Sequence, residues 1–229
     1  MPAELGTVLV TGGASGLGAA VAAAVKEEGG TPVVLDLRDP GDGLAFERVD
    51  LAHPREAEAT VARIAEERGG LDAVVTAAGI DACGDLGDVD ATAWDRVIAV
   101  NLLGTAAVVR AALPHLERSR GRVVTVASTL GVRALPAATA YCASKFGVVG
   151  FTRALAAETG DRVGVTLLIP GGMQTHFFDD RPEEFKPAAD QRLNRPEDVA
   201  RTVIFALRQP PGCELRELLV APATEPSWP

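Results

Sequence analysis

Short runs rich in Val, Leu and Ile alternate along this chain with longer Ala-rich stretches whose apolar positions recur at helical spacing. The β-rich runs fall at 7–10, 32–36, 46–50, 73–77, 122–127, 164–169 and 218–220. Several are apolar on consecutive positions, as expected of strands covered on both faces. Helical periodicity covers 16–28, 54–68, 92–118, 139–159 and 196–208, with a break expected near Asn101. This alternation implies crossover helices packed on a parallel sheet, the α/β class. No internal repeat, low-complexity tract or linker divides the chain, so 1–229 reads as one domain. Residues 171–195, dense in charge, Pro and Phe, read as a surface lid, and 222–229 as an irregular tail carrying Trp228.

Composition adds limits. With 229 residues, a single domain buries roughly 70 to 75% of its unfolded surface and needs neither metal nor disulfide to hold it. Lys and Arg number 22 against 31 Asp and Glu, a net charge of −9 that repels nucleic-acid backbones and anionic membranes. Small acidic ligands remain open where a local site overrides that sign. Cys83, Cys142 and Cys213 form neither a disulfide framework nor a zinc spacing, and read as reduced thiols of a cytoplasmic protein. No metal site is expected. The first residues show no basic segment followed by a long apolar stretch, and apolar runs elsewhere are expected to stop short of the ~20 residues a membrane span needs.

Candidate chemistry begins directly after the first strand, at Thr11-Gly12-Gly13-Ala14-Ser15-Gly16-Leu17-Gly18. Gly12 permits a sharp turn, Gly16 removes a side chain where a pyrophosphate approaches the backbone, and Gly18 lets the helix sit close to the strand. Backbone N–H groups around Ser15, Gly16 and Leu17, together with the positive helix end, attract phosphates despite the net acidity. Asp36 closes the second strand, where a carboxylate accepts hydrogen bonds from the adenosine ribose hydroxyls. It would repel a 2′-phosphate, so NAD(H) is preferred and NADP(H) is not excluded. Arg38 is the counter-argument, since a guanidinium there reaches toward a 2′-phosphate; the alternative is a solvated Arg or a pair with Asp39. Asp50 and its neighbour Leu51 are placed to touch adenine, with a turn or cap role as the alternative for Asp50.

A second cluster lies at 128–145. Tyr141 is the only tyrosine, and Lys145 follows it by one helical turn, so the two share a face. An ammonium near a phenol lowers its pKa and lets Tyr141 exchange a proton with a substrate oxygen. Lys145 would also bind the nicotinamide ribose. Ser128 follows an apolar strand, at the carboxyl end of the sheet where open α/β proteins hold ligands, and its hydroxyl can bind the substrate oxygen. Asn101 is a polar residue inside an apolar helical pattern and can hold a water that connects Lys145 to solvent. Each has a plainer reading in helix packing or capping.

These residues in this order resemble a single-domain short-chain dehydrogenase/reductase, over nearly the whole chain from Thr7 to Val220. The motifs are Thr11-Gly12-x-x-x-Gly16-x-Gly18, Asp50, Ala78-Gly79, Asn101, Ser128, Tyr141-x-x-x-Lys145 and Pro170-Gly171-Gly172 with Thr175. The resemblance implies one doubly wound Rossmann-type domain with about seven parallel strands and helices on both faces. It implies an NAD(P)-dependent alcohol dehydrogenase or carbonyl reductase, with Tyr141 as acid/base, Ser128 orienting substrate, Lys145 lowering the Tyr pKa and Asn101 anchoring a proton relay. Ala78, Gly79, the Pro170-Gly171 backbone and the Thr175 hydroxyl would contact the cofactor. Ala77 departs from the family's Asn, so a side-chain amide tying adjacent strands is missing, and Met173 departs from its β-branched residue.

The expected pocket is apolar, lined by Leu130, Val132, Leu135, Met173, Phe177 and Phe178, and suits a small secondary alcohol or ketone. Arg133 is either a clamp for a substrate carboxylate or an exposed side chain, and His176 is within reach of substrate. Ala106, Ala107, Ala111, Ala112, Ala154 and Ala156 lie on helices that pair between subunits in this family, which implies a homo-oligomer, dimer or tetramer. The tail either crosses to a neighbouring subunit or frays. Two other readings stand beside the dehydrogenase: a catalytically silent dinucleotide-binding regulator or scaffold, and a sugar-nucleotide epimerase or dehydratase, for which little chain remains after Lys145.

Overall fold

Val8, Leu9 and Val10 are all fully buried, a run that only a strand covered on both faces can bury. The computed structural model describes residues 4–41 and 43–228; Met1, Pro2, Ala3, Asp42 and Pro229 lie outside the described residues, and with them the start of the N-terminal reading and the last residue of the tail. Among the described residues seven strands form one sheet: β1 (Thr7–Thr11), β2 (Thr31–Asp36), β3 (Ala45–Arg48), β4 (Ala73–Thr76), β5 (Arg122–Val126), β6 (Gly164–Pro170) and β7 (Glu217–Val220). Their order is β3-β2-β1-β4-β5-β6-β7. Every pairing is parallel; Val10 stands opposite Val34 on one side and Val75 on the other.

Six α-helices among the described residues cover the sheet: α1 (Gly16–Glu27), α2 (Pro54–Glu67), α3 (Ala91–Ile98), α4 (Thr105–Ser119), α5 (Thr139–Thr159) and α6 (Pro196–Leu207). Alternation along β1 divides the core. Val8 and Val10 pack with Val21 and Val25 of α1 and Val203 and Leu207 of α6. Leu9 faces the other way, onto Val61 and Ile64 of α2, Val108 and Leu116 of α4, and Leu155 of α5. Each such side chain contributes about 1.5 to 3 kcal/mol on burial. The result is a doubly wound Rossmann-type sheet. Its strand order reverses between β1 and β4, and the carboxyl ends of those strands open a crevice.

The helix expected over 92–118 is three pieces. Between α3 and α4 runs a π-helical segment, Ala99–Gly104, holding Asn101. A Cβ at Gly104 would stand 2.8 Å from the Leu51 carbonyl oxygen, so the loop after β3 packs where a side chain would block it. The break expected at Asn101 is therefore a widened turn within a continuous rod. That rod, Ala91–Ser119, is 29 residues and apolar enough to cross a membrane by length and composition, contrary to the expectation for apolar runs here. Half of its most apolar window is buried in the fold, against α2 and the sheet, as in a core helix. Of the six alanines expected at a subunit contact, Ala107 and Ala112 are buried in the core instead, because they face the sheet.

Candidate active site

β1 ends at Thr11, and the chain turns through Gly12, at φ +70, toward α1. A Cβ at Gly18 would stand 2.1 Å from the Gly12 carbonyl oxygen, so helix and turn touch only because the side chain is absent. The Thr11 hydroxyl accepts the Ala78 N–H at 3.1 Å and ties β1 to the chain leaving β4, close to where the missing amide of Ala77 would stand. Ser15 starts α1 without a side-chain cap bond, and no acid occupies the first turn. The first N–H groups of α1 thus keep their positive potential for an anion.

Asp36 closes β2 and accepts the Ala14 N–H at 3.0 Å and the Arg38 N–H at 3.1 Å, which aims its carboxylate at the turn. Arg38 is exposed, as the solvated reading has it, and does not pair with Asp39: its guanidinium reaches the Ser15 hydroxyl at 3.5 Å, while Asp39 accepts the Gly41 N–H. Asp50 stands two residues beyond β3, which ends at Arg48, and not on the strand as expected. It accepts the Ala52 N–H at 2.9 Å and pairs with Arg96 at 2.9 Å. Burial pushes its carboxyl upward, but those two partners outweigh burial and hold it below the usual range.

Ser128 lies two residues past β5 and accepts the Leu130 N–H at 3.1 Å, starting a tight turn over Thr129–Gly131. A Cβ at Gly131 would stand 2.8 Å from the Lys145 carbonyl oxygen, so this turn lies directly on α5. From α5, Tyr141 and Lys145 project one turn apart into a cavity of about 950 Å³. The same cavity takes in Gly12, Ser15, Gly16, Leu17, Asp36, Asp50, Leu51, Ala78, Gly79, Ser128, Pro170, Gly171 and Thr175. Of the residues singled out from the sequence, Gly18 and Asn101 stand behind its wall.

Asn101 is buried, and both of its amide hydrogens are engaged. Its Oδ1 accepts the Ile80 N–H at 2.8 Å, and its Nδ2 donates to the Ile80 carbonyl at 2.9 Å and the Ser144 hydroxyl at 3.0 Å. The side chain clamps the segment after β4 and does not reach the cavity as a free water ligand. Lys145 donates to the Val126 carbonyl at 2.8 Å, and burial pushes its amine down to about 8. Burial holds the Tyr141 phenol above its ordinary value, and the Ser128 hydroxyl is what pulls it back. Lys145 Nζ stands 5.6 Å from the Tyr141 ring centre and is turned to the Val126 carbonyl, so burial sets the direction of the phenol's shift.

The lid closes over this cluster. Thr175 accepts the Phe177 N–H at 3.3 Å and caps a short turn, His176–Phe178, that carries Phe177 to 5.6 Å from the Tyr141 ring. Its hydroxyl is thus engaged with the lid itself. Arg181 stacks on Phe177 and Phe178 and pairs with Asp81 at 2.5 Å, linking the lid to the loop after β4. The Cys83 thiol donates to Asp81, and burial with that charge pushes it up to about 11, which keeps it protonated. Leu130, Leu135, Met173, Phe177 and Phe178 line the cavity as expected; Val132 instead packs against Ala127 and Val148. His176 pairs with Asp179 at 2.7 Å at the cavity rim.

The tail folds back on its own chain, and Arg133, expected as clamp or free surface, lies over the Trp228 ring at 5.2 Å. Glu225 accepts the Gly172 N–H at 2.8 Å. Sequence reasoning missed Asp81, Ser144, Arg181 and Glu225. Asp81, Arg181 and Glu225 have no motif around them, Ser144 falls on a variable position of the Tyr141-x-x-x-Lys145 motif, and only contact with a residue far along the chain marks each.

The description short chain dehydrogenase belongs to the family model that matches residues 6–185. Among curated proteins, 2-(S)-hydroxypropyl-CoM dehydrogenase 3 of Xanthobacter autotrophicus is 34% identical, over 87% of this chain and 88% of that one. L-fucose dehydrogenase of Mus musculus is 30% identical, over 95% and 88%. Among solved structures, the ligand-free aldohexose dehydrogenase of Thermoplasma acidophilum superposes with a TM-score of 0.84 at 26% identity, covering 94% of this chain and 92% of that one. An alcohol dehydrogenase of Thermococcus sibiricus, complexed with 5-hydroxy-NADP, has a TM-score of 0.84 at 23% identity over 95% and 96%, a likeness of fold alone.

Proposed function

This chain belongs to the short chain dehydrogenase family, and from that premise we propose that it transfers a hydride between NAD(H) and a small, apolar secondary alcohol or ketone, with Tyr141 as acid/base. One observation carries the reading: a single cavity joins the uncapped start of α1 and Asp36 to Ser128, Tyr141 and Lys145.

The residues fit a dinucleotide. Open N–H groups at Ser15, Gly16 and Leu17 suit the pyrophosphate, and Asp36 suits the ribose hydroxyls. Asp50 and Leu51 lie at the adenine end, with Ala78 and Gly79 along the wall. Lys145 gives one of its three N–H donors to Val126, and the other two serve the nicotinamide ribose. Pro170, Gly171 and Thr175 border the nicotinamide. Bound there, the dinucleotide supplies or accepts the hydride.

The chain's own residues handle orientation and the proton. Ser128 holds the substrate oxygen. Tyr141, kept protonated at neutral pH by burial, gives its proton to that oxygen in reduction; in oxidation it first releases that proton to solvent through the cavity and, as phenolate, takes the alcohol's proton. Asn101 positions the Gly79–Ile80 backbone beside Lys145 and anchors the relay by that route. Asp36 favours NAD(H), and Arg38 over the Ser15 hydroxyl leaves NADP(H) usable. We read the chain as one domain, 1–229, of a cytoplasmic homo-oligomer that engages neither membrane nor nucleic acid.

Secondary alcohols and ketones offered with each cofactor, and followed by absorbance of the reduced nicotinamide, test the reaction. Tyr141→Phe is expected to end turnover while NADH binding stays at the wild-type level. Undiminished turnover in that variant refutes the assignment, and wild-type binding without turnover on any substrate favours the silent scaffold.

A further inference from the structure

We propose that Glu225 is a positioning residue for the nicotinamide end of the cavity, where it joins the loops that leave the neighbouring strands β5 and β6. The inference rests on the dinucleotide reading above. Glu225 is 8% exposed, and its carboxylate accepts the Gly172 N–H at 2.8 Å, the Ser227 N–H at 3.3 Å and the Ser227 hydroxyl at 2.6 Å. No Lys or Arg pairs with it among the described residues. The Ser227 hydroxyl gives its proton to Glu225 and accepts from the Thr129 hydroxyl at 2.7 Å. One chain of hydrogen bonds therefore runs from Gly172, on the loop leaving β6, to Thr129, the residue after Ser128.

Two features tie this bridge to the site and not to the fold at large. Glu225, Pro226 and Ser227 themselves line the cavity, together with Ser128, Thr129, Gly171 and Gly172. A Cβ at Gly171 would stand 2.5 Å from the Glu225 carboxylate, so the loop and the carboxylate fit each other closely. The strand ends do not need the bridge, since the Ala127 N–H past β5 already bonds the Leu168 carbonyl of β6 at 2.8 Å. A buried carboxylate is tolerated where donors fill its lone pairs, as three do here. Removing it frees the Gly172 N–H and lets the two loops part at the end that holds the nicotinamide.

The test compares NADH with ADP-ribose, which keeps the pyrophosphate and both riboses and lacks only the nicotinamide ring. Wild type, Glu225→Ala, Glu225→Gln and Ser227→Ala are titrated with both by calorimetry, after circular dichroism establishes that each is folded. Glu225→Ala is expected to weaken NADH binding about tenfold, in line with the loss of charge-assisted hydrogen bonds, and to leave ADP-ribose binding unchanged. Glu225→Gln, whose amide oxygen still accepts from Gly172, is expected to fall within about threefold of wild type. Ser227→Ala should show a smaller NADH-selective loss, and it decides the matter if Glu225→Ala does not fold. Equal losses for both ligands make Glu225 a general stabiliser and overturn the proposal, as do variants that bind NADH like wild type. A wild type that binds no NADH overturns the dinucleotide reading and this inference with it; a wild type that binds, beside unaffected variants, overturns this inference alone.

Discussion

Lys145 keeps a buried amine, and that has a measurable cost. Its pKa is pushed down to about 8 from 10.5, so below pH 8 the folded protein carries the full penalty of a buried ammonium. Between pH 8 and 10.5 the unfolded chain binds more protons than the folded one, and stability from this group rises with pH. Lys145→Met is therefore expected to end turnover yet raise stability at pH 7 by up to about 3 kcal/mol, with the gain shrinking toward zero by pH 10.5. Urea unfolding at pH 7 and 9.5 checks it; a variant less stable than wild type at pH 7 means that the bond to the Val126 carbonyl outweighs burial. Tyr141 has the opposite slope: its folded pKa lies above the ordinary value, so stability falls as pH climbs past 10, and Tyr141→Phe should remove that loss. Asp36→Ala is expected to reduce the preference for NAD(H) over NADP(H) in kcat/KM by about tenfold or more, through loss of like-charge repulsion at the 2′-phosphate. A wild type that already prefers NADPH contradicts the cofactor reading.

The elements show where local pattern suffices and where it stops. Strands β1, β2, β5 and β6 are legible because consecutive Val and Leu bury on both faces, which needs no knowledge of partners. The interruption at Asn101 is legible too, as a polar residue in an apolar helix. Its π-helical form is not, since Leu51 pressing on Gly104 is a contact between chain positions far apart. The end of α4 follows a different logic: Arg120 adopts φ 51, the left-handed region, where a Cβ is strained. Arg120→Gly is expected to stabilise the protein by about 0.5 to 1 kcal/mol, read as a rise in Tm with activity unchanged. A lower Tm would show that the entropy glycine gains in the unfolded chain exceeds the relieved strain.

At the scale of the whole molecule, eight large apolar side chains stand out in solvent among the described residues, four of them on helices and strands of the fold's outer faces. Leu103 and Phe146 are exposed on the π segment and α5, and Phe205 and Leu219 on α6 and β7. Exposed apolar side chains of this size are what a second copy would cover, which supports the homo-oligomer. Light scattering is expected to give two or four times 23.7 kDa, and Leu103→Glu with Phe146→Glu is expected to lower that mass; a wild-type monomer removes the basis for the oligomer. The amino-acid sequence alone determined the α/β class, the glycine turn, Asp36 and the Ser128, Tyr141 and Lys145 set, because spacing along one strand or helix dictates which residues share a face. Only tertiary structure decided that Lys145 points at Val126, that Asp81 and Arg181 join lid to sheet, and that Glu225 bridges Gly172 to Thr129. Those contacts join positions some 20 to 100 residues apart. Hydrogen-bond direction and desolvation depend on which atoms meet across that distance, and no periodicity in the chain encodes them.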